Sequence, residues 1–380
     1  MAPPVLHFRE SELAARRGRA VQAMRAGGLD GLLLFKQESR YYLSGYDTGA
    51  HTYFHCLYLG ADGRMGLLCR LPDVRQARFT SVIEDVRYWS DGPEARPGED
   101  LRAMLEDYGC AGRRLGVETD CCGMTAQVWR HLATACQGFC HLEAAVHLID
   151  RLRLVKSAAE LEIVGRAAGL AYQALARGRE LARPGAYEGD ILAAMQGAVY
   201  QGGGQTSATE WAIGSGDGAL LAYHTGRRHL AERDRLQLCL SGVYLRYHAS
   251  LAASIFVGPA EPRLQRLFDT CQEALAEITA ACRPGAALGD LVAAYRGVAD
   301  GAGLGGAALT TCGHGLGATY APAAADWPTI VMGSSLLIEA GMVLYLEAAL
   351  VDGESRSAMA LGESVEVTSS GCRPLVPATA

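Results

Sequence analysis

The chain has 380 residues, of which 49% are hydrophobic and 20% are charged, with a formal net charge of −6. This composition is typical of a globular protein long enough for two domains, and the interspersed charges of both signs exclude nucleic acid and anionic membranes as expected partners. No run reaches the roughly 18 apolar residues that a membrane span needs, and the N-terminus lacks the apolar region of a signal peptide. The 12 cysteines lack the dense spacing of a disulfide scaffold, so we expect reduced thiols in a cytoplasmic protein.

The first 152 residues predict a small α/β domain with a mixed sheet. Residues 11–29 have the pattern of an amphipathic helix, and residues 29–35 (LDGLLLF) predict a buried strand. Short strand-like runs and two helical stretches then alternate as far as the strand-like LGVET at residues 115–119.

Residues 153–380 predict a second domain made of helix pairs and strands. Ser157 and Glu160 have the spacing of a capping box at the start of its first helix, which we expect to end before Arg183. The order of helix pair, strands, helix pair and strands indicates an internal duplication. The later predicted helices cover residues 187–201, 261–282 and 287–303, and the predicted strands cover 209–214, 236–244, 250–258 and parts of 305–380.

Several segments, in the same order, resemble those of the creatinases, prolidases and aminopeptidases P. CGHGLGATYAP is similar to the family's Gly-His-Gly segment, and IEAGMVLYLEAAL is similar to the strand that carries a glutamate ligand. The resemblance implies an α/β (α+β) fold, with a creatinase-like N-terminal domain followed by a C-terminal pita-bread domain, and it implies a homodimer. The matching segments are residues 28–48, 151–168, 240–258, 312–322 and 338–350.

Metallopeptidases of this family hold two divalent ions with two aspartates, one histidine and two glutamates, and the resemblance locates these positions here. Cys239 and Ser250 stand where the aspartates belong, and Gly362 stands at the last glutamate position. His314 and Glu347 keep the histidine and the first glutamate. Two closely spaced dications need negative ligands to offset their repulsion, so we expect no dinuclear metal site and no cofactor. A single zinc ion held by Cys239, His314 and Glu347 stays open as an alternative.

His224 lies at the position of a substrate-facing histidine in this fold, which metal-free creatinases use to transfer a proton. An imidazole suits this role because its ordinary pKa of about 6.5 lets it accept and return a proton near neutral pH. The alternative is a surface histidine beside Arg227 and Arg228.

Glu347 follows the apolar run MVLYL, so we expect it to be buried in a strand. A buried carboxylate without a partner is unfavourable, so Glu347 should meet His314, a cationic substrate or a metal. His314 lies between two glycines, which let the backbone approach closely and the ring point into a cavity. The alternative interpretation of His314 is a histidine in a turn, without a partner.

Cys239 lies in the strand-like run RLQLCLSGVYL, where plain packing is the first interpretation and a catalytic nucleophile the second. A reactive thiolate would need a base such as His224 or His248 close by to lower its pKa. His248 is a candidate for substrate contact, with a hydrogen-bonded core histidine as the alternative.

In the first domain, residues 46–56 resemble the segment that reaches the partner subunit's active site in creatinase-like dimers. Asp47, His51, Tyr53 and His55 are therefore candidates for substrate contact, and strand alternation would place the last three on one face. A half-buried strand with outward polar residues is the alternative.

These observations predict hydrolysis of a non-peptide C–N bond in a small amidine, guanidine or cyclic amidine. His224 would transfer the proton, while Glu347 and His314 would hold the cationic end of the substrate. RYHAS and YAPAAADWP are similar to segments of ectoine hydrolases, although Cys239 replaces a glutamate that those enzymes hold. Three alternatives remain: a metal-assisted Xaa-Pro peptidase, an inactive binding protein, and a lyase, isomerase or cyclase using the same pocket.

Overall fold

The computed structural model describes residues 3–49, 52–220, 226–353 and 357–375. The chain forms two compact units, Met1–Arg153 and Leu154–Ala380. None of the helices in the described parts of the chain is long and apolar enough to cross a membrane.

The first unit is a mixed six-stranded sheet with helices, which confirms the predicted α/β class. Its strand order is β4-β3-β2-β1-β5-β6. Strand β2 runs antiparallel to both of its neighbours, and the other pairs are parallel. The strands are β1 (Gly31–Leu34), β2 (Cys56–Gly60), β3 (Met65–Arg70), β4 (Asp85–Trp89), β5 (Arg114–Val117) and β6 (His141–Ala144).

Strand β1 lies at the centre of this unit and is buried on both faces. Leu32 and Leu34 pack into one hydrophobic core and Leu33 into another, which explains the uninterrupted apolar run in the sequence. The first helix ends three residues earlier than predicted, at Ala26, because Gly28 adopts a left-handed conformation with φ +69°. The helices of this part of the chain are α1 (Glu10–Ala26), α2 (Gln37–Ser44), α3 (Val74–Thr80), α4 (Pro97–Asp107), α5 (Ala126–Cys136) and α6 (Leu148–Leu154).

The second unit contains two helix pairs and an antiparallel sheet. The predicted capping box is present: the Glu160 N–H donates to Ser157 Oγ at 3.3 Å, and the Ser157 N–H donates to Glu160 Oε2 at 2.9 Å. The helices are α7 (Ala158–Leu181), α8 (Glu188–Gln201), α9 (Pro262–Ala281) and α10 (Leu288–Gly301).

The strands of the second unit form one sheet in the order β11-β10-β12-β13-β9-β8-β7, with β14 paired to β13. All of these pairings are antiparallel. The strands are β7 (Ala212–Ser215), β8 (Asp234–Tyr244), β9 (Tyr247–Val257), β10 (Thr311–Gly315), β11 (Asp326–Val331), β12 (Val343–Asp352), β13 (Ser357–Val367) and β14 (Cys372–Pro374).

The two faces of this sheet differ in chemistry. On β8, Leu238 and Leu240 belong to the core that α7 and α8 cover, and on β12, Leu344 and Leu346 belong to the core of α9 and α10. Because successive side chains of a strand point to opposite faces, the intervening residues face away from the helices. We call this second face the polar face; it carries the candidate site.

Candidate active site

Cross-strand register brings three of the predicted site positions, Glu347, Gly362 and Cys239, onto the polar face in one row. Glu347 on β12 lies opposite Gly362 on β13, Gly362 lies opposite Ala252 on β9, and Ala252 lies opposite Cys239 on β8. Directly opposed residues of neighbouring strands share a face. The row therefore crosses four strands and has Glu347 at one end and Cys239 at the other.

His314 of β10 shares the polar face but lies outside this row, opposite Tyr345 of β12, two residues before Glu347. A side chain at Gly313 would overlap the Tyr345 carbonyl, so glycine lets the two strands approach, as the sequence predicted. His314 Nδ1 lies 2.8 Å from the Gly315 carbonyl oxygen. Since a carbonyl only accepts, Nδ1 carries the proton and Nε2 is left as an acceptor. Burial lowers the pKa of His314, which favours this neutral form.

Glu347 is half-buried and hydrogen-bonded to a tyrosine on its own strand. Tyr345 Oη donates to Glu347 Oε1 at 2.9 Å. Burial raises the pKa of Glu347, and the tyrosine hydrogen bond only partly opposes this effect. Within the described chain, no ion pair includes Glu347 and no hydrogen bond joins it to His314. Among the described residues, its carboxylate is thus partnered by a neutral phenol alone.

Tyr345 was not among the predicted site residues, although it is buried beside Glu347. Its ring occupies the space next to Gly362, where a Cβ would lie 2.7 Å from Cζ and 2.8 Å from Cε2 of Tyr345 and closer still to Oη. The available signal was its position two residues before Glu347, because residues i and i+2 of a strand share a face.

The two aspartate positions carry neutral groups with local partners. Burial, followed by the nearby Glu347 charge, raises the pKa of the Cys239 thiol to about 12, which favours packing over a nucleophilic thiolate. Ser250 Oγ lies 2.9 Å from Ser241 Oγ. Its backbone N–H donates to Ser364 Oγ at 2.8 Å, and that hydroxyl donates back to the Ser250 carbonyl at 2.8 Å.

The residues at the five metal positions do not fit a pair of divalent ions. Only His314 and Glu347 keep the family's ligand types, and one carboxylate cannot offset the charge of two dications. The single-zinc alternative has no preformed ligand set either, since the donor atoms of Cys239, His314 and Glu347 do not lie within 4.8 Å of one another.

The first unit contains the one group of three possible ligands found in the described residues, Asp120, His147 and Asp150. An ammonium group already lies there, because Lys36 Nζ is 2.7 Å from Asp120 Oδ2 and 2.5 Å from Asp150 Oδ2. This cluster is an ion-pair network of the first unit.

His248 is enclosed by hydrogen bonds and is 1% exposed. Its Nε2 accepts the Ala208 N–H at 3.0 Å, and its Nδ1 lies 2.9 Å from the Arg246 carbonyl. Burial lowers its pKa to about 4, so the ring stays neutral. These contacts favour the alternative of a core histidine; substrate contact by His248 stays a prediction without support from this geometry.

His224 and His51 lie outside the described residues, so their predicted roles stay predictions. The described residues that flank residues 221–225 are held by a buried glutamate. Glu188 Oε1 accepts the N–H and the hydroxyl of Ser215 at 2.7 and 2.6 Å, and Oε2 accepts the Arg228 N–H at 3.0 Å.

The other candidates of the first unit do not share a face. Residues 52–55 do not belong to a strand, because β2 begins only at Cys56, so the alternation expected for Tyr53 and His55 is wrong. Tyr53 is 42% exposed and has the Arg70 guanidinium 4.1 Å above its ring. By contrast, His55 is buried, and its Nε2 lies 3.2 Å from Asp73 Oδ2. Asp47 is buried as well.

Comparison with known proteins identifies the family of both units. Residues 162–369 match the model of metallopeptidase family M24, and residues 16–155 match the creatinase/prolidase N-terminal domain. Ectoine hydrolase of Halomonas elongata is 23% identical over 97% of this chain and 96% of its own.

Solved structures agree at the level of the fold. Dipeptidase PepE of Mycobacterium ulcerans is 25% identical with a TM-score of 0.84, covering 97% of each chain. Xaa-Pro dipeptidase of Bacillus anthracis is 20% identical with a TM-score of 0.82, covering 96% of this chain and 98% of its own. The family match, the N-terminal domain and the pita-bread architecture together show that this chain belongs to metallopeptidase family M24, a family of hydrolases, within the creatinase/aminopeptidase P superfamily.

Proposed function

We propose that this chain hydrolyses a non-peptide C–N bond in a small amidine, guanidine or cyclic amidine, and that it does so without a bound metal ion. The observation that carries the proposal is the environment of Glu347. Its half-buried carboxylate has a neutral phenol as its hydrogen-bond partner and no cation beside it in the described chain. At the same time, three of the five family ligand positions hold Cys239, Ser250 and Gly362.

A planar cation is the substrate group that best complements this carboxylate. Burial without a counter-ion disfavours the ionised form of Glu347, and this is why its pKa is raised. An amidinium or guanidinium supplies both a positive charge and N–H donors, so it forms charge-assisted hydrogen bonds with a carboxylate. Neutral His314 can accept a further N–H through Nε2, because its Nδ1 proton is engaged by the Gly315 carbonyl.

The reaction follows from the electrophilicity of such a cation. Water attacks the sp² carbon of the amidinium while a general base removes its proton, which gives a tetrahedral intermediate. The C–N bond then breaks, and the departing nitrogen takes up the proton. We assign the proton transfer to His224, as predicted from the sequence; Glu188, which binds Ser215 and Arg228, would fix the ends of the segment that carries it. The positive charge on the substrate already makes its carbon electrophilic, whereas a peptide carbonyl needs a Lewis acid to polarise it.

Ectoine hydrolase among the relatives supports a cyclic amidine as the substrate class. The Xaa-Pro dipeptidase of Bacillus anthracis supports the competing function, a metal-dependent Xaa-Pro peptidase. That function requires carboxylate ligands where this chain has Cys239, Ser250 and Gly362, so we place it second. An inactive binding protein and a lyase, isomerase or cyclase remain alternatives that the substrate screen below would reveal.

The test is a screen of EDTA-treated protein against amidines, guanidines, cyclic amidines and Xaa-Pro dipeptides, with ammonia release and NMR as readouts. We expect turnover of a cationic C–N substrate, unaffected by EDTA and greatly weakened by Glu347→Gln. Glu363→Gln is the matched control, since Glu363 lies beside Gly362 on β13 and is opposed to Leu346, on the helix-covered face. Cleavage of Xaa-Pro dipeptides only after Mn²⁺ is added would refute the proposal.

A further inference from the structure

We propose that Tyr345 is a positioning residue of this site, whose phenol has taken the space of the missing fifth carboxylate, holds Glu347, and keeps divalent metal out. This inference rests on the proposed function for its chemical purpose, but its evidence is steric. Gly362 stands at the position of the last family glutamate, and Tyr345 fills the space that a side chain there would need.

The geometry makes residues 345 and 362 mutually exclusive as large side chains. A Cβ at position 362 would lie 2.7 Å from Tyr345 Cζ and 2.8 Å from Cε2, whereas real Cβ atoms essentially never approach within 3.0 Å of such atoms. Tyr345 is 6% exposed, so its ring is enclosed and cannot swing away as an exposed side chain would. Gly362 has no positive φ, so its backbone conformation is one that alanine can adopt.

The phenol also takes over a contact that a metal would otherwise make. Tyr345 Oη donates to Glu347 Oε1 at 2.9 Å, and the Tyr345 ring lies 5.2 Å from the His314 ring, centroid to centroid. The tyrosine thus contacts both of the surviving family ligand residues. A neutral donor there fixes the carboxylate without neutralising it, which leaves its negative charge for a substrate cation.

A stability cycle tests the steric claim without any substrate. We expect Gly362→Ala to lower the melting temperature of the wild-type protein by several degrees, and to have little effect in a Tyr345→Ala background. Gly242→Ala is the matched control, because a Cβ there would lie 2.5 Å from the Ala171 backbone nitrogen, and Tyr345 has no part in that clash. Equal losses from Gly362→Ala in both backgrounds would overturn the proposal.

Metal binding tests the exclusion, a property that a tyrosine of purely packing function would not change. The variant Cys239→Asp/Ser250→Asp/Gly362→Glu restores the family ligand set, and the same variant with Tyr345→Ala also restores its space. Titration with Mn²⁺ should show binding at least tenfold tighter when Tyr345→Ala is included. Equal affinity in the two proteins, whether tight or absent, would overturn the proposal.

Failure of this inference and failure of the proposed function would be seen in different experiments. A failed substrate screen would leave the stability cycle and the Mn²⁺ titration unaffected, since neither uses a substrate. If the variant with four substitutions does not fold, the cycle of Gly362→Ala and Tyr345→Ala still decides the steric claim on which the exclusion depends, because it changes only two residues.

Discussion

Replacing Glu347 with glutamine should separate substrate binding from chemistry. The amide keeps an oxygen that can accept from Tyr345 Oη, so the fold and the local hydrogen bond should persist. What is lost is the charge that faces a cationic substrate. A hydrogen bond to a charged group contributes about 1.5–3 kcal/mol, and about 1.4 kcal/mol corresponds to a factor of ten. We therefore expect KM for a cationic substrate to rise about 10- to 150-fold, with a smaller change in kcat.

The same substitution should stabilise the protein at neutral pH. Burial raises the folded-state pKa of Glu347 above its unfolded value, so ionisation disfavours the folded state as pH rises above that unfolded value. Removing the carboxyl group should raise the melting temperature at pH 7, and the difference should vanish at about pH 3, well below the unfolded-state pKa of about 4.3, where the wild-type group is protonated in both states. Activity lost together with increased stability indicates a functional carboxylate.

The assay combines steady-state kinetics with thermal melts at both pH values, using Glu363→Gln as the control. Tyr345→Phe adds a second comparison, because it removes the donor to Glu347 but keeps the charge. Because this hydrogen bond positions the carboxylate and its loss leaves the charge in place, we expect a smaller KM effect of about two- to tenfold, which corresponds to about 0.5–1.5 kcal/mol. An unchanged KM with a collapse of kcat in Glu347→Gln would refute the assignment of Glu347 to cation binding.

Four further predictions concern the metal content, two candidate site residues and the oligomeric state. Elemental analysis of purified protein should find no stoichiometric transition metal; two ions per chain, or activity lost to EDTA and restored by Mn²⁺, would contradict this. His224→Asn should lower kcat about 10²–10⁴-fold with little change in KM, and an active variant would remove the general-base assignment. Cys239→Ser should turn over at a near-normal rate, whereas complete loss with intact folding would indicate a covalent intermediate. Light scattering should give a homodimer, for which we expect residues 46–56 to approach the partner's site; a mass near the 40.3 kDa of one chain would contradict it.

Local sequence patterns predicted the structure correctly where it depends on residues that lie close together in the chain. The capping box of Ser157 and Glu160 was predictable because both partners lie within one helical turn. The position of His55 was not predictable in this way, because His55 is held in the core by contacts with the Arg70 backbone and Asp73, which lie 15 and 18 residues further along the chain. The helix predicted over residues 11–29 was correct in type, and its end moved because glycine, rather than periodicity, set the boundary.

In the candidate site, too, some features follow from local sequence motifs and others depend on residues distant in the chain. Alignment of motifs located His314, Glu347 and the replaced ligands, and the sheet brings those strands together. The role of Tyr345 depends on the cross-strand register that pairs Glu347 with Gly362, which no single stretch of sequence contains. For His248, the deciding fact is the partner of each ring nitrogen, and one of these partners is the N–H of Ala208, 40 residues away.

The scaffold and the site chemistry can change independently in this fold, because backbone contacts require some of its glycines and a side-chain contact requires another. Gly242 and Gly313 are fixed by close backbone approach: a side chain at the first would overlap α7, and one at the second would overlap β12. Substituting either would disturb strand or helix packing, whatever reaction the protein catalyses. Gly362 differs, because the atoms that exclude a side chain there belong to Tyr345, and a side chain can be exchanged without moving the backbone. At the replaced ligand positions, the same sheet can therefore accommodate either metal-binding side chains or a buried tyrosine.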